Sequence, residues 1–468
     1  MTAIDPQQLD AKIAAAFGEL TIDKALVRQL KIREKRTIPS FVEEWLISRF
    51  KKPDQTDAEI YQVITDFMSR HLPAKNEKEK IKYRLQSGES IVLLDRFDVR
   101  IDIKKSEKLL TIPCLDERNA RVSDDVLNAN QILLEGGQWG AGRLFVRPEG
   151  KINVIELTEF HPMQSGKVRL EQLVKAREEF TTREWIALLM RTMGYEPAAY
   201  NEDQQNHVIL RLLPLLQNNL NLMELAPKGT GKSFIYSNLS RYVWLNSGGA
   251  LTQAQLFKNL NTKEVGLLGR HDLLVLDEGQ SISFKGEDDI QAKFKDYLES
   301  GHFSIGNDKI TSECGLIVLA NIELYQGLPR QSDYIRHLPD MFHESALMDR
   351  FHGIIPGWKI PRFKVNCVAQ GLGIKADVFG EYLHQLRTVS YAEFPFGKPP
   401  VFTGDSDSRD VKAVSRLATA LSKLLLLNPD HPDYEAYVLN PAKDLRARVR
   451  SQLAELDPHE FTAELRVY

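Results

Sequence analysis

The chain has 468 residues, of which 43% are hydrophobic and 27% charged, with a formal net charge of −3; at roughly 100–200 residues per domain that is two to four domains. The near-neutral charge excludes a uniformly basic nucleic-acid coat. Apolar runs such as 424–427 fall far short of the ~20 residues of a membrane span, and the N-terminal "MTAIDPQQLDAKI" lacks the basic patch and apolar core of a secretory signal.

Residues 1–86 read as a helical region. Leu26 and Leu30, then Ile60, Ile64 and Phe67, fall at helical spacing, and Pro39 and Pro53 interrupt the run. "TIPSFVEEWLISRF" predicts a capped helix beginning at Ser40, with Glu43 three residues on. Two basic clusters, "KIREKR" (31–36) and "KNEKEKIKYR" (75–84), carry interleaved Glu34, Glu77 and Glu79. That interleaving favours a solvated helix face over a phosphate-contacting stripe.

Over 87–165 the period shortens to two. Val99, Ile101 and Ile103 alternate with Arg100, Asp102 and Lys104, and "RLFVRPEGKINVIEL" reads as two strands around Pro148, Glu149 and Gly150. The glycine-rich "EGGQWGAGRLF" is followed by a strand-like run rather than the helix a dinucleotide fingerprint requires, so a turn or bulge is expected there.

Helical patterning resumes near Leu170, and strands, loops and helices then alternate to about residue 360, as in a parallel α/β sheet. This segment holds "LMELAPKGTGKSF", a strand, a small-residue loop and a helix. A phosphate-binding loop needs backbone N–H groups that converge on the anion, a lysine for the β- and γ-oxygens, and a hydroxyl for Mg²⁺. Ala226, Pro227, Lys228, Gly229, Thr230, Gly231, Lys232 and Ser233 supply them, with Ala226 where a glycine usually stands. In "RHDLLVLDEGQ" four apolar residues precede Asp277 and Glu278. A buried strand ending in two acids has no inexpensive structural explanation; it makes chemical sense if Asp277 supports Mg²⁺ and Glu278 polarises a water. A third apolar strand, "GLIVLAN", ends in Asn321, an amide suited to orient that water. Residues 361–468 read as a C-terminal helical lid and tail. The three cysteines, Cys114, Cys314 and Cys367, form no disulfide framework or metal-ligand spacing. His343, Glu344 and His352 lack the i, i+4 histidine pair of a zinc helix. The chain is expected in the cytoplasm.

These three strands together resemble the AAA+ superfamily. The expected fold is an α/β P-loop NTPase core with a helical lid, preceded by a helical and β-rich, OB-like region. The resemblance implies that Asn321 is sensor 1, that Arg350 in "ALMDRFHGIIPGW" is an arginine finger reaching a neighbouring subunit of a ring, hexameric as expected, and that Arg409 is sensor 2 with Arg416 in reserve; Arg330 and Arg336 are further interface arginines. "GHFSIGNDKITSECGLIVLAN" is similar to the hairpin ahead of sensor 1 in minichromosome-maintenance helicases, with "GND" as its turn and Lys309 near the tip as a DNA contact. The widest resemblance, from about Thr37 onward, is to the BrxL family, Lon-like AAA+ proteins of BREX phage-defence systems; it is carried by "TIPSFVEEWLISRF", "FTTREWIALLMRTMGYEP", "NLMELAPKGTGKSFIYSNLS", "LLVLDEGQ" and "RDVKAVSRLATALSKLLL". It implies an ATP- and Mg²⁺-dependent ATPase ring acting on double-stranded DNA with other BREX proteins. The short tail ending "DPHEFTAELRVY" leaves no room for a Lon-like peptidase domain, so peptidase activity is not expected. A protein remodeller, with Phe257 or Phe284 offered to a pore, is the competing expectation, and a passive ATP-binding scaffold is a third.

Overall fold

The computed structural model describes residues 4–468 except 31, 33–37, 53, 75, 104–105, 135–136, 151, 164–167, 262, 391–401, 403–405, 466 and 468. The expectations for most of "KIREKR", for Pro53, and for the first residues of "KNEKEKIKYR" and "EGGQWGAGRLF" therefore lie outside the described residues. The chain divides into two compact units: Ile22–Val168 with Lys375–Val378, and Met1–Thr21 with Arg169–Ile374 and Phe379–Tyr468.

In the first of these, the helices Ser40–Phe50 and Asp57–His71 bury the periodic residues Phe41, Leu46, Ile60, Ile64 and Met68 with Leu26 and Leu30. Thr56 and Glu59 form a reciprocal capping box ahead of the longer helix. The helix at Ser40 starts where expected but by other means. Pro39 occupies the cap position at φ −62°, ψ 154°, without a side-chain cap bond. The proline ring presets the entry angle that a capping hydroxyl would otherwise stabilise.

The β-rich segment closes into a five-stranded barrel in the order Ile91–Asp102, Glu107–Ile112, Glu117–Val122, Ile152–Pro162, Gln138–Glu149. Phe97, Leu110, Ile112, Leu144, Leu157 and Phe160 fill it. The described glycine-rich residues are not a turn. Gly140 and Gly142 lie inside the strand Gln138–Glu149, where an added Cβ would sit 2.4 Å from the Phe160 ring and 2.5 Å from that of Phe97. The missing side chains make room for two aromatics packed edge to face, 5.6 Å apart. The same stretch carries a register shift between Arg143 and Leu144, which agrees with the bulge alternative of the expectation.

The second unit is built on a five-stranded sheet in the order Gly353–Pro356, Asn221–Ala226, Gly315–Asn321, Leu273–Lys285, Val243–Thr252, every pair parallel. Asn221–Ala226 is buried at all six positions and Gly315–Asn321 at all but the last, as strands covered on both faces require. The helices Ala376–Thr388, Ser408–Leu425 and Asn440–Leu456 realise the helical pattern of the C-terminal region. Arg446, 1% exposed, ties the last two together through Asp410 at 2.7 Å, and it also pairs at 2.6 Å with Asp349, ahead of the strand Gly353–Pro356. No described helix is long and apolar enough to cross a membrane.

Candidate active site

In a parallel sheet the carboxyl ends of the strands collect the residues that meet a ligand. The register aligns Ala226 with Asn321, and Val318 with Leu276, one residue before Asp277. Three neighbouring strands thus deliver the loop, the amide and the acids to one edge.

The loop from Pro227 to Gly231 joins the buried strand Asn221–Ala226 to the helix Lys232–Asn238. Gly229 and Gly231 have φ of +83° and +79°, the left-handed region that favours glycine. Gly231 is doubly constrained, since a Cβ there would lie 2.6 Å from the Tyr195 hydroxyl. Ala226 is fully buried, and Gly357 covers it; a Cβ on Gly357 would stand 2.4 Å from that of Ala226. The glycine this loop lacks at its first position is thus present on the strand-end segment that packs over it.

A short chain of polar contacts crosses the sheet edge. Lys232 Nζ donates to Asn321 Oδ1 at 2.5 Å, and Asn321 Nδ2 donates to Glu278 Oε2 at 2.8 Å. The Gln280 amide also donates to Glu278, and Gln280 Oε1 accepts the Asn321 N–H at 3.1 Å. Asp277 Oδ1 accepts the Glu278 N–H at 2.9 Å. Lys232 and Asp277 are each 6% exposed, whereas Glu278 reaches solvent. Burial lowers the pKa of the Lys232 ammonium, opposed by the charges of Glu224, Asp277 and Glu278. The strand does not end at the acids, as the sequence suggests. Its pairing with Gly315–Asn321 stops at Leu276, but Leu273–Lys285 runs on beside Val243–Thr252. Between the pairs Ser247–Asp277 and Gly249–Ile282 the chain bulges, and Glu278 takes φ +53° there. That is an unfavourable setting for a non-glycine residue, of the kind concentrated at functional sites.

Beneath the loop lies a group that the sequence patterns do not reveal. Arg211 and Glu224, both 0% exposed, pair at 2.5–3.1 Å. Arg211 Nη1 also donates to Thr230 O at 3.1 Å and to the Tyr195 hydroxyl at 3.0 Å. The available signal was one charge of each sign inside otherwise apolar runs, "HVILRLLPLL" and "NLMELA".

Two family models match the chain: "Lon-like protease BrxL-like, ATPase domain" over residues 155–466 and "BREX system Lon protease-like protein BrxL N-terminal" over residues 15–145. Similar relatives named "Lon-like protease BrxL" come from Escherichia coli O9:H4 (strain HS), 31% identical over 98% of this chain and 66% of the relative, and from Bacillus cereus (strain H3081.97), 30% identical over 97% of this chain and 68% of the relative. The chain belongs to the BrxL family. It spans about two thirds of the length of these relatives. The loop, the acid pair and Asn321 all lie within the stretch that matches the BrxL ATPase-domain model.

The other residues singled out from sequence lie apart from this edge. Arg350 donates to Ala346 O, and its Nε stands 3.6 Å from Glu299. Arg409 donates to Asp349 Oδ2 at 2.5 Å, and Lys412 pairs with Glu299 at 3.1 Å. Glu299 thus serves Arg350 and Lys412, while Asp349 serves Arg409 and Arg446. The bond to Asp349 is the main cause that raises the pKa of Arg409. Arg416 donates to Asn218 O at 2.6 Å, and burial lowers its pKa. Arg330 and Arg336 are exposed and pair with Glu323 and Asp333. The hairpin His302–Ile305 and Asp308–Thr311 forms, with a two-residue turn of Gly306 and Asn307 rather than the three of "GND". Lys309 is exposed opposite Ser304, and Asp308 pairs with Lys258. Phe257 and Phe284 are 0% and 8% exposed in the apolar core, which removes them as pore aromatics. His352 is buried and accepts the Asn221 N–H at 3.1 Å; among the described residues no cluster of three His, Cys, Asp or Glu side chains could hold a metal.

Proposed function

We propose that this chain is a ring-forming AAA+ ATPase of a BREX-type defence system that binds double-stranded DNA and translocates on it by Mg²⁺-dependent ATP hydrolysis. The observation that carries the reading is the contact chain Lys232–Asn321–Glu278 at 2.5 and 2.8 Å, brought together on one side of three adjacent parallel strands. In this reading the N–H groups of Gly229 to Lys232 bind the phosphates and Lys232 reaches the β- and γ-oxygens. Ser233 and Asp277, one hydroxyl and one carboxylate, are hard oxygen donors of the kind Mg²⁺ takes while keeping water and phosphate oxygens. The ion would neutralise charge developing on the γ-phosphate. Glu278 polarises the attacking water and Asn321 orients it. Both are held to each other in the structure, so the contact between them must loosen for either to act.

Arg350 acts as the arginine finger on a neighbouring subunit, in a ring we take as a hexamer. Arg409 pairs with Asp349, the residue that precedes Arg350 in the chain, which supports a role for it on that same subunit face rather than over its own loop. The closed five-stranded barrel supports an OB-like DNA-binding role for residues 87–165, and the exposed hairpin supports Lys309 as a phosphate contact. Other BREX proteins are the proposed partners. The protein-remodeller reading loses its pore aromatics, since Phe257 and Phe284 lie in the core; the Lon-like name of the matched family is what still supports it.

The test is hydrolysis of Mg·ATP with and without duplex DNA at low ionic strength, where phosphate contacts are strongest. Stimulation by DNA that declines steeply with added salt is the expected result. Hydrolysis indifferent to DNA, together with no gel shift, contradicts the DNA part.

A further inference from the structure

Three consecutive carbonyls of the phosphate loop are hydrogen-bonded to the protein behind it. Gly229 O accepts the Phe363 N–H at 2.8 Å, Thr230 O accepts from Arg211 Nη1 at 3.1 Å, and Gly231 O accepts from the Tyr195 hydroxyl at 3.2 Å. Thr230 Oγ1 is a further acceptor, 3.3 Å from Arg211 Nη2. The chain contains no cis peptide among the described residues. In a trans peptide the C=O of one residue and the N–H of the next point in opposite directions. Anchoring the carbonyls of Gly229, Thr230 and Gly231 therefore aims the N–H groups of Thr230, Gly231 and Lys232 away from the anchors, toward the open side of the loop. The alternation with left-handed Gly229 and Gly231 is the pattern of a backbone anion nest.

The geometry of the anchors suits this role. Glu224 occupies Arg211 Nε and one edge of Nη2, which fixes the guanidinium plane and leaves Nη1 for Thr230 and Tyr195. A fully buried ion pair is seldom more stable than apolar residues of the same volume, so stability alone does not explain two charges at 0% exposure. Burial raises the Tyr195 phenol, so its hydroxyl keeps the proton it donates. The hydroxyl accepts from Arg211 and donates to Gly231, which relays the fixed guanidinium to the loop.

We infer that Arg211, oriented by Glu224, and Tyr195 are positioning residues that preset the phosphate loop by holding its carbonyls away from the nucleotide. This rests on the reading of the loop as an ATP site. The experiment is steady-state hydrolysis of Mg·ATP by the full chain, with thermal melting in the absence of nucleotide, for wild type, Tyr195→Phe and the paired apolar replacement Arg211→Met with Glu224→Leu. The expected result is a KM raised roughly 3- to 10-fold by Tyr195→Phe, the effect of losing one hydrogen bond. The paired replacement raises it further, while both variants keep the melting temperature and hold kcat within about twofold. An unchanged KM in both overturns the inference, and so does a fall in kcat that follows a lowered melting temperature. A wild-type chain that neither binds nor hydrolyses Mg·ATP instead overturns the nucleotide reading, and this inference with it; the wild-type control tells the two failures apart.

Discussion

Ala226 and Gly357 exchange the roles that a loop glycine and its neighbour would ordinarily have. With the methyl on Ala226, the position above it has space for hydrogen alone: a Cβ on Gly357 would lie 2.4 Å from Ala226 Cβ and 2.9 Å from both Glu224 Oε1 and Leu225 O. Gly357→Ala is therefore expected to destabilise the unit by about 1–3 kcal/mol, the usual range for overpacking. Adding Ala226→Gly should recover part of that loss, because one of the three close contacts disappears. Denaturant melts of the two single variants and the double variant measure the coupling; additive losses would contradict the packing account. From sequence, Ala226 could be recognised as small enough for the loop, because the requirement there is steric and local. Its partner was not legible, since Gly357 lies 131 residues away and nothing local marks it. The same holds for Arg211 and Glu224, whose partnership is a matter of tertiary packing although each stands out as a lone charge in an apolar run.

Strands and helices were more legible than the details that end them. The period-two alternation, the apolar runs and the helical spacing correspond to the barrel strands, the parallel sheet and the C-terminal helices, because each pattern reports which faces are buried. The strand through Asp277 was misjudged at its end, because the sequence shows acids after apolar residues but not that Val243–Thr252 goes on pairing with Ile282 to Lys285 beyond them. For the barrel strand, the irregularity between Arg143 and Leu144 agrees with an expected bulge, but the part played by Gly142 was not legible, because a glycine that makes room for Phe97 looks like a glycine that makes a turn. The helix Ser408–Leu425 carries its own prediction. Lys423 is 2% exposed, with its ammonium donating to Arg387 O at 3.3 Å, and burial beside Arg387 pushes its pKa from 10.5 down to about 8. Between about pH 8 and 10.5 the unfolded chain binds a proton that the folded chain has released. Stability from this group therefore rises with pH across that window, and below it the charged lysine remains a constant penalty. Lys423→Met should remove that rise and stabilise the protein at neutral pH by about 1–3 kcal/mol. Urea unfolding of both forms at pH 7 and pH 10 checks it; identical pH dependence would contradict the burial argument.

For the whole molecule, the arrangement divides the proposed chemistry between two surfaces. Lys232, Asp277, Glu278 and Asn321 gather at the sheet edge, whereas Arg350 and Arg409 pair elsewhere, with Glu299 and Asp349 respectively. If the two surfaces meet only across a subunit boundary, two inactive variants should complement each other. Lys232→Ala lacks nucleotide binding and Arg350→Ala lacks the finger, each losing hydrolysis by a factor on the order of 10³ or more. Mixed subunits restore boundaries that carry an intact loop on one side and an intact arginine on the other. Recovery of part of the ATPase rate on mixing is expected, and no recovery would contradict the two-surface account. All of this rests on a triphosphate lying in the loop ahead of Lys232. The most direct measurement is equilibrium binding of Mg·ATP to the Glu278→Gln chain, which should hold ATP without hydrolysing it, and to the same chain carrying Lys232→Ala as well. One ATP per chain is expected in the first and none in the second. Undiminished binding after loss of Lys232, or no binding in either, would contradict it.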